Sequence, residues 1–233
     1  MRTHKLALPG IILFAAAFSF FSLQACAAEN TFDRTFTVSG PVRLELSNGS
    51  GNVDIRGTAD GKVHVHGKVT GGWSLWGSSE KNIQEAVSNP PLEQRGDTIR
   101  VGKDISWVKN VSIDYQIEVP RETEIEASVA SGGITIDQLR GPVKCSSASG
   151  YVHVYRIERD TQLNAASGSI DVSGIGGFLR VSTASGSMNI VNIKAGLRIG
   201  VGFRNSFYVG FGQALTHDDW YQHLVRIEYR YSF

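Results

Sequence analysis

Apolar and polar residues alternate in short runs along most of this chain, and in its second half the runs recur every 18 residues. The tripeptide Ala-Ser-Gly marks the period at Ala130, Ala148, Ala166 and Ala184. Counting each Ala as zero, position +4 reads Ile134, Val152, Ile170 and Met188, and +6 reads Ile136, Val154, Val172 and Ile190. Position +9 reads Leu139, Ile157, Ile175 and Ile193, and +15 reads Cys145, Leu163, Val181 and Ile199. Position +13 is apolar in three of the four units, with Thr161 the exception. Two period-two stretches per unit, rich in β-branched residues and divided by glycine-bearing turns, predict strands; no unit offers the spacing near 3.6 that a helix needs. A unit this small cannot bury its apolar side alone, so copies must stack. The expected fold is all-β, a β-solenoid: a single-stranded, parallel β-helix-like stack of 18-residue coils. Glycine at +2 (Gly132, Gly150, Gly168, Gly186) suits a corner with positive φ or close approach of the next coil.

Residues 31–129 carry less regular alternation, at Phe36-Val38, Val42-Leu46, Val53-Ile55, Val63-Val69, Ile99-Val101 and Val111-Val119. Gly40-Pro41-Val42-Arg43 followed by Asn48-Gly49-Ser50-Gly51 echoes Gly141-Pro142-Val143-Lys144 and Ala148-Ser149-Gly150, which predicts an early, interrupted start of the stack. The interruption spans residues 71–91. Within it, Ser78-Ser79-Glu80 can start one short helical insert over 78–88, with Ile83, Ala86 and Val87 on one face, and Asn89-Pro90-Pro91 ends it. Trp73 and Trp76 flank this insert, with packing of the helix as their expected role and sugar binding as the alternative.

The series Phe32-Asp33-Arg34, Val38-Ser39-Gly40-Pro41-Val42, Gly72-Trp73, Asn89-Pro90-Pro91, Gly96-Asp97-Thr98-Ile99 and Val111-Ser112-Ile113, followed by serial Ala-Ser-Gly units, resembles a bacterial adhesin family of unknown function. The resemblance covers residues 31–193. It implies a secreted or envelope-attached β-solenoid with more coils than the four of residues 130–196, and it carries over no catalytic residue.

Residues 197–233 have a different pattern. From Val225 the chain alternates strictly, with Val225, Ile227, Tyr229, Tyr231 and Phe233 on one face and Arg226, Glu228, Arg230 and Ser232 on the other. This resembles the closing strand of an outer-membrane β-barrel, in which lipid-facing apolar residues alternate with polar ones. Two further strands fit upstream, Leu197-Phe203 and Phe207-Phe211, giving a C-terminal antiparallel β-meander. Three strands cannot close a membrane barrel, which needs at least ~8, and open edges in lipid leave backbone groups unsatisfied. Three readings follow: chains pool strands in an oligomer, the tail is a fused barrel fragment, or it caps the last coil.

The N-terminus reads as a targeting segment. Arg2, His4 and Lys5 precede an apolar run from Leu6 to Leu23, and small residues follow at Ala25-Cys26-Ala27-Ala28. A signal peptide over residues 1–27 is the expectation, with a membrane anchor as the alternative. Leu23-Gln24-Ala25-Cys26 also resembles a lipoprotein box, which would make Cys26 an acylated first residue in place of cleavage after Ala27. Either way the protein is expected outside the cytoplasm, in the periplasm or at the outer membrane. The only other cysteine, Cys145, falls at a core position, so no disulfide is expected.

Composition removes other classes. The 23 Lys and Arg balance 22 Asp and Glu for a net charge of +1, giving no basic excess for nucleic acid. No phosphate-binding glycine loop and no Gly-x-Ser-x-Gly nucleophile motif occurs. His64 and His66 share a strand face without acidic or cysteine partners at ligand spacing, so a metal site is not expected there. The outward column at +5 reads Thr135, His153, Asp171 and Asn189, with a single carboxylate where polysaccharide-cleaving sites pair two. His217-Asp218-Asp219 with His223 is the densest group of ligand-type residues and falls in a loop. The sequence thus points to a non-enzymatic, cofactor-free envelope protein that displays rows of polar side chains to a glycan or a protein. An outer-membrane protein anchored by residues 197–233 and a polysaccharide-acting enzyme are the alternatives.

Overall fold

The computed structural model describes residues 30–71, 80–102, 111–201, 205–212 and 224–231. In chain order the strands are β1 (Thr31–Thr37), β2 (Arg43–Ser50), β3 (Val53–Thr58), β4 (Lys62–Gly71), β5 (Leu92–Arg95), β6 (Thr98–Val101), β7 (Val111–Pro120), β8 (Glu124–Ser131), β9 (Ile134–Leu139), β10 (Val143–Ile157), β11 (Thr161–Ile175), β12 (Phe178–Ile193), β13 (Gly196–Val201), β14 (Asn205–Gly212) and β15 (Leu224–Tyr231). One helix, α1 (Glu80–Ser88), precedes β5. It puts Ala86 into the core and rests Ile83 and Val87 against it. The helix stops at Pro90 and Pro91, which cannot continue it, after a last backbone bond from Asn89 N–H to the Glu85 carbonyl at 2.8 Å.

The chain is all-β, but the expected parallel β-solenoid is not what it forms. All fifteen strands belong to one sheet of mixed orientation, curled into a nearly closed, barrel-like wall around one core. The repeats do pair in parallel at an offset of 18 residues, with Val143 opposite Thr161 and Thr161 opposite Leu179. Elsewhere the direction alternates. β4 runs antiparallel to both β1 and β7, and β7 lies between β3 and β4 although those two are consecutive in sequence. β5 and β6 form a hairpin through Gly96 and Asp97. Three residues separate β13 from β14, far too few for a parallel crossover, and β14 returns antiparallel, as does β15.

Two left-handed or glycine-only bends per repeat shape the wall. At +2, Gly132, Gly150, Gly168 and Gly186 have φ of 126°, 128°, 131° and 128°. At +8, Gln138, Arg156, Gly174 and Asn192 have φ of 60°, 53°, 74° and 59°. The second bend explains why the inward positions jump from +6 to +9. One residue is absorbed in a local bulge, and the pleat then resumes on the opposite parity.

The core runs the length of the stack. Leu44, Ile55, Ile99, Ile134, Ile136, Leu163 and Val172 are all fully buried, each worth roughly 1.5–3 kcal/mol relative to exposure. Cys145 lies in the same column as Leu163 and Val181. Burial pushes its thiol up to about 12, so it stays protonated and inert at neutral pH. Among the described residues no helix is long and apolar enough to cross a membrane.

An ion-pair lattice ties the early strands to the repeats on one outer face. Arg43 contacts Glu45, Glu124 and Glu126 at 3.2, 2.9 and 2.8 Å. Lys144 reaches Glu126 at 2.7 Å, and Arg100 reaches Glu45 at 2.8 Å. The hydrogen bond from Arg100 holds the Glu45 carboxyl below its ordinary value, and the one from Lys144 does so for Glu126. Depressed carboxylates contribute stability that is full above the ordinary glutamate value of 4.5 and is lost as pH falls through the lowered values. Arg43→Ala is expected to lower stability by about 1 kcal/mol at pH 7, the modest scale of solvent-screened pairs. The difference from wild type should shrink in urea melts as pH falls below 4.5 and the carboxylates take up protons; a difference that stays constant with falling pH would show that the pairs are not its source.

Candidate functional site

The face that offers most chemistry is the outer side of β1, β4, β7, β3, β9, β10, β11 and β12, which neighbour one another in that order. Strand pairing aligns one residue from each into a single row: Asp33, His66, Gln116, Asp54, Thr135, His153, Asp171 and Asn189. None of the eight is buried. A parallel row contains Thr35, His64, Glu118, Arg56, Asp137, Tyr155, Ser173 and Val191. The expected +5 column of Thr135, His153, Asp171 and Asn189 is therefore the downstream half of a longer row that continues onto non-repeating strands.

On β10 three rings follow one another along the face. Tyr151 and His153 have centroids 4.6 Å apart with planes tilted 33°. His153 and Tyr155 are 6.0 Å apart at 47°. Tyr151 lies over Gly133, the residue before β9, where a Cβ would collide with its ring. Its exposed ring borders a depression of about 330 Å³ whose other walls include Asp54, His66, Lys68, Gln116 and Thr135.

Hydrogen bonds fix the polar groups around the rings. The Asn189 amide donates to Asp171 Oδ1 at 3.2 Å. Burial raises the Tyr155 phenol above its ordinary value, and the adjacent Asp171 carboxylate adds to the shift. Arg156, next along the chain, pairs with the buried Asp137 carboxylate through Oδ2, while Asp137 Oδ1 has no protein partner. His66 Nδ1 and Asp33 Oδ1 lie 2.7 Å apart, and His64 Nδ1 and Thr35 Oγ1 lie 3.0 Å apart. Among the described residues no group of three or more His, Cys, Asp or Glu is placed to hold a metal.

Tyr151 and Tyr155 do not stand out in the sequence, because they break the repeat. Their columns otherwise hold Gly133, Ser169 and Ser187, and Asp137, Ser173 and Val191. The signal that could have found them is Gly133, a residue small enough to seat a ring, one repeat before Tyr151. The proposed membrane-facing residues Val225, Ile227, Tyr229 and Tyr231 all fall in β15. Cross-strand register aligns Ile227 with Val209 and Leu197, and Tyr229 with Phe207 and Ile199. Phe233, Cys26, Trp73, Trp76 and the cluster His217-Asp218-Asp219 with His223 lie outside the described residues.

No family model, no curated protein and no solved structure matches this chain.

Proposed function

We propose that this protein is a non-enzymatic binding protein of the bacterial cell envelope, and that its outer face at β9 to β12 takes an envelope glycan. The observation that carries this reading is the ring series Tyr151, His153 and Tyr155, set beside the Asp171–Asn189 pair and the depression walled by Asp54, Lys68 and Thr135. Aromatic faces offer apolar contact to the C–H sides of sugar rings, and carboxylates and amides bond their hydroxyls. The same arrangement favours binding over turnover. The two carboxylates that act on the Tyr155 phenol are paired, Asp171 with Asn189 and Asp137 with Arg156.

Native gels cast with soluble envelope polysaccharide test the reading. Wild type is expected to be retarded, and Tyr151→Ala with Tyr155→Ala to migrate as in a gel without polysaccharide while keeping the wild-type circular dichroism spectrum. Equal retardation of both proteins would remove this face from the account. Hydrolysis of the polysaccharide that Asp171→Asn abolishes would favour the enzyme reading instead.

A second reading has a specific observation behind it. Apolar positions of β14 and β15 align in common rows, as a lipid-facing surface requires, and continue a row that in β13 begins with Leu197 against the core. It makes the protein an outer-membrane one, anchored through Val225, Ile227, Tyr229, Tyr231 and Phe233. Alkaline extraction of membranes separates the two: retention of the full chain, and release of a version ending at Ile193, favours the anchor.

A further inference from the structure

We infer that β15 is a self-association edge, and that two copies of the chain pair through it in antiparallel fashion about a two-fold axis at Ile227. β15 is the last strand of the sheet path, hydrogen-bonded to β14 on one side, with no strand on its other side among the described residues. An eight-residue strand that alternates strictly from Val225 is a template for another strand of the same kind.

The sequence of the edge selects the partner and the register. Antiparallel self-pairing about Ile227 places Arg226 opposite Glu228 of the second copy, and Glu228 opposite its Arg226. The same register places Val225 opposite Tyr229 twice, an aromatic pair with a β-branched residue of the sort that stabilises sheets. A shift that centres the pair on Glu228 sets Glu228 against itself and Arg226 against Arg230. Centring on Arg226 sets that arginine against itself. A register between residues brings the apolar row of one strand against the charged row of the other. Centring on Tyr229 also sets Glu228 against Arg230, but it overlaps only residues 227–231 of the strand, whereas the Ile227 register overlaps residues 224–230 and so pairs the greater length.

The edge at β1 lacks this property. Asp33 and Arg34 lie on opposite faces of β1, so no register that keeps like faces together sets one against the other, and centring on either sets like charges together. β5 is only four residues long. A two-fold axis makes each favourable pair occur twice, as a closed dimer requires.

This inference rests on neither functional reading. Its test is sedimentation equilibrium on the full chain as produced by cells, with wild type, Arg226→Glu, Glu228→Arg and the double exchange. Wild type is expected to be dimeric. Each single reversal creates two like-charged oppositions and should weaken association by about tenfold or more. The double exchange restores opposite charges and should restore the dimer. A monomeric wild type, insensitivity to the single reversals, or failure of the double exchange to rescue would each overturn the proposal. Ile227→Cys supplies a second readout that does not need the charge variants to fold. The residue faces its own copy at a spacing a disulfide accepts, so mild oxidation of cells should give a reducible dimer. Absence of that dimer in folded protein would count equally against the register.

Discussion

Val172→Asp is expected to abolish the folded state or lower its stability by about 4 kcal/mol or more, whereas Asp171→Ala, one residue earlier, should cost about 1 kcal/mol or less. Val172 is fully buried between Val154 and Ile190 in its column. Both neighbours in the column are apolar and give a carboxylate no hydrogen bond. The new side chain must therefore either remain charged without hydrogen bonds or take up a proton well above its ordinary range. Asp171 points the other way and loses only its contacts with Asn189 and Tyr155. For a chain of this size about 4 kcal/mol corresponds to a fall in melting temperature of roughly 8 °C or more. Equal melting temperatures for the two variants would refute the inward register of the repeats.

Gly168→Ala is expected to be nearly as damaging, at about 3 kcal/mol or more. Gly168 has φ of 131°, a conformation that L side chains rarely adopt, and a Cβ there would overlap the carbonyl oxygen of Gly150 in the next strand. Gly150 sits in the same way on Gly132, Gly186 on Gly168, and Gly132 on Gly51. The corner is thus a stack of backbones with no room for a methyl group. Relief by local movement is blocked from both sides, because each corner is wedged against the next. Gly49→Ala is the control. No atom lies within 4 Å of a Cβ built at Gly49, and its φ is not positive, so the change should be neutral or slightly stabilising through the unfolded chain. Thermal melts of both proteins decide the matter, and a Gly168→Ala protein as stable as Gly49→Ala would contradict the close approach at the corner.

The parts of this architecture that the sequence revealed are those that repeat. The 18-residue period identified which residues are strand neighbours. The columns at +4, +6 and +15 did find the interior, where Ile134, Val154 and Leu163 are fully buried. Even the exception at +13 obeys the rule, since Thr161 is buried with its hydroxyl 3.5 Å from the Arg159 carbonyl. Strand direction outside the repeats was not legible. Alternation has no sense of direction, and nothing local to β3 and β4 announces that β7, from beyond the helix, will lie between them. That long-range insertion turns the expected parallel stack into a mixed, nearly closed wall.

The candidate site divides in the same way. His153, Asp171 and Asn189 were visible as a column because they share a repeat position. Asp54, Gln116, His66 and Asp33 continue the row on strands without the period, so only pairing reveals them. Tyr151 and Tyr155 occur once each in their columns. A departure from a repeat carries no label to distinguish surface drift from a binding group until its neighbours are known. Here the neighbours decide: Gly133 beneath one ring, and His153 between the two.

Binding of an envelope glycan at this outer face is open to an NMR titration of isotope-labelled protein with soluble envelope oligosaccharide. Saturable shift changes are expected at Tyr151, His153, Tyr155, Asp171 and Asn189, with the buried column of Val154 and Val172 unmoved. Saturable changes confined to other surfaces, or none at concentrations that retard the protein in gels, would contradict it.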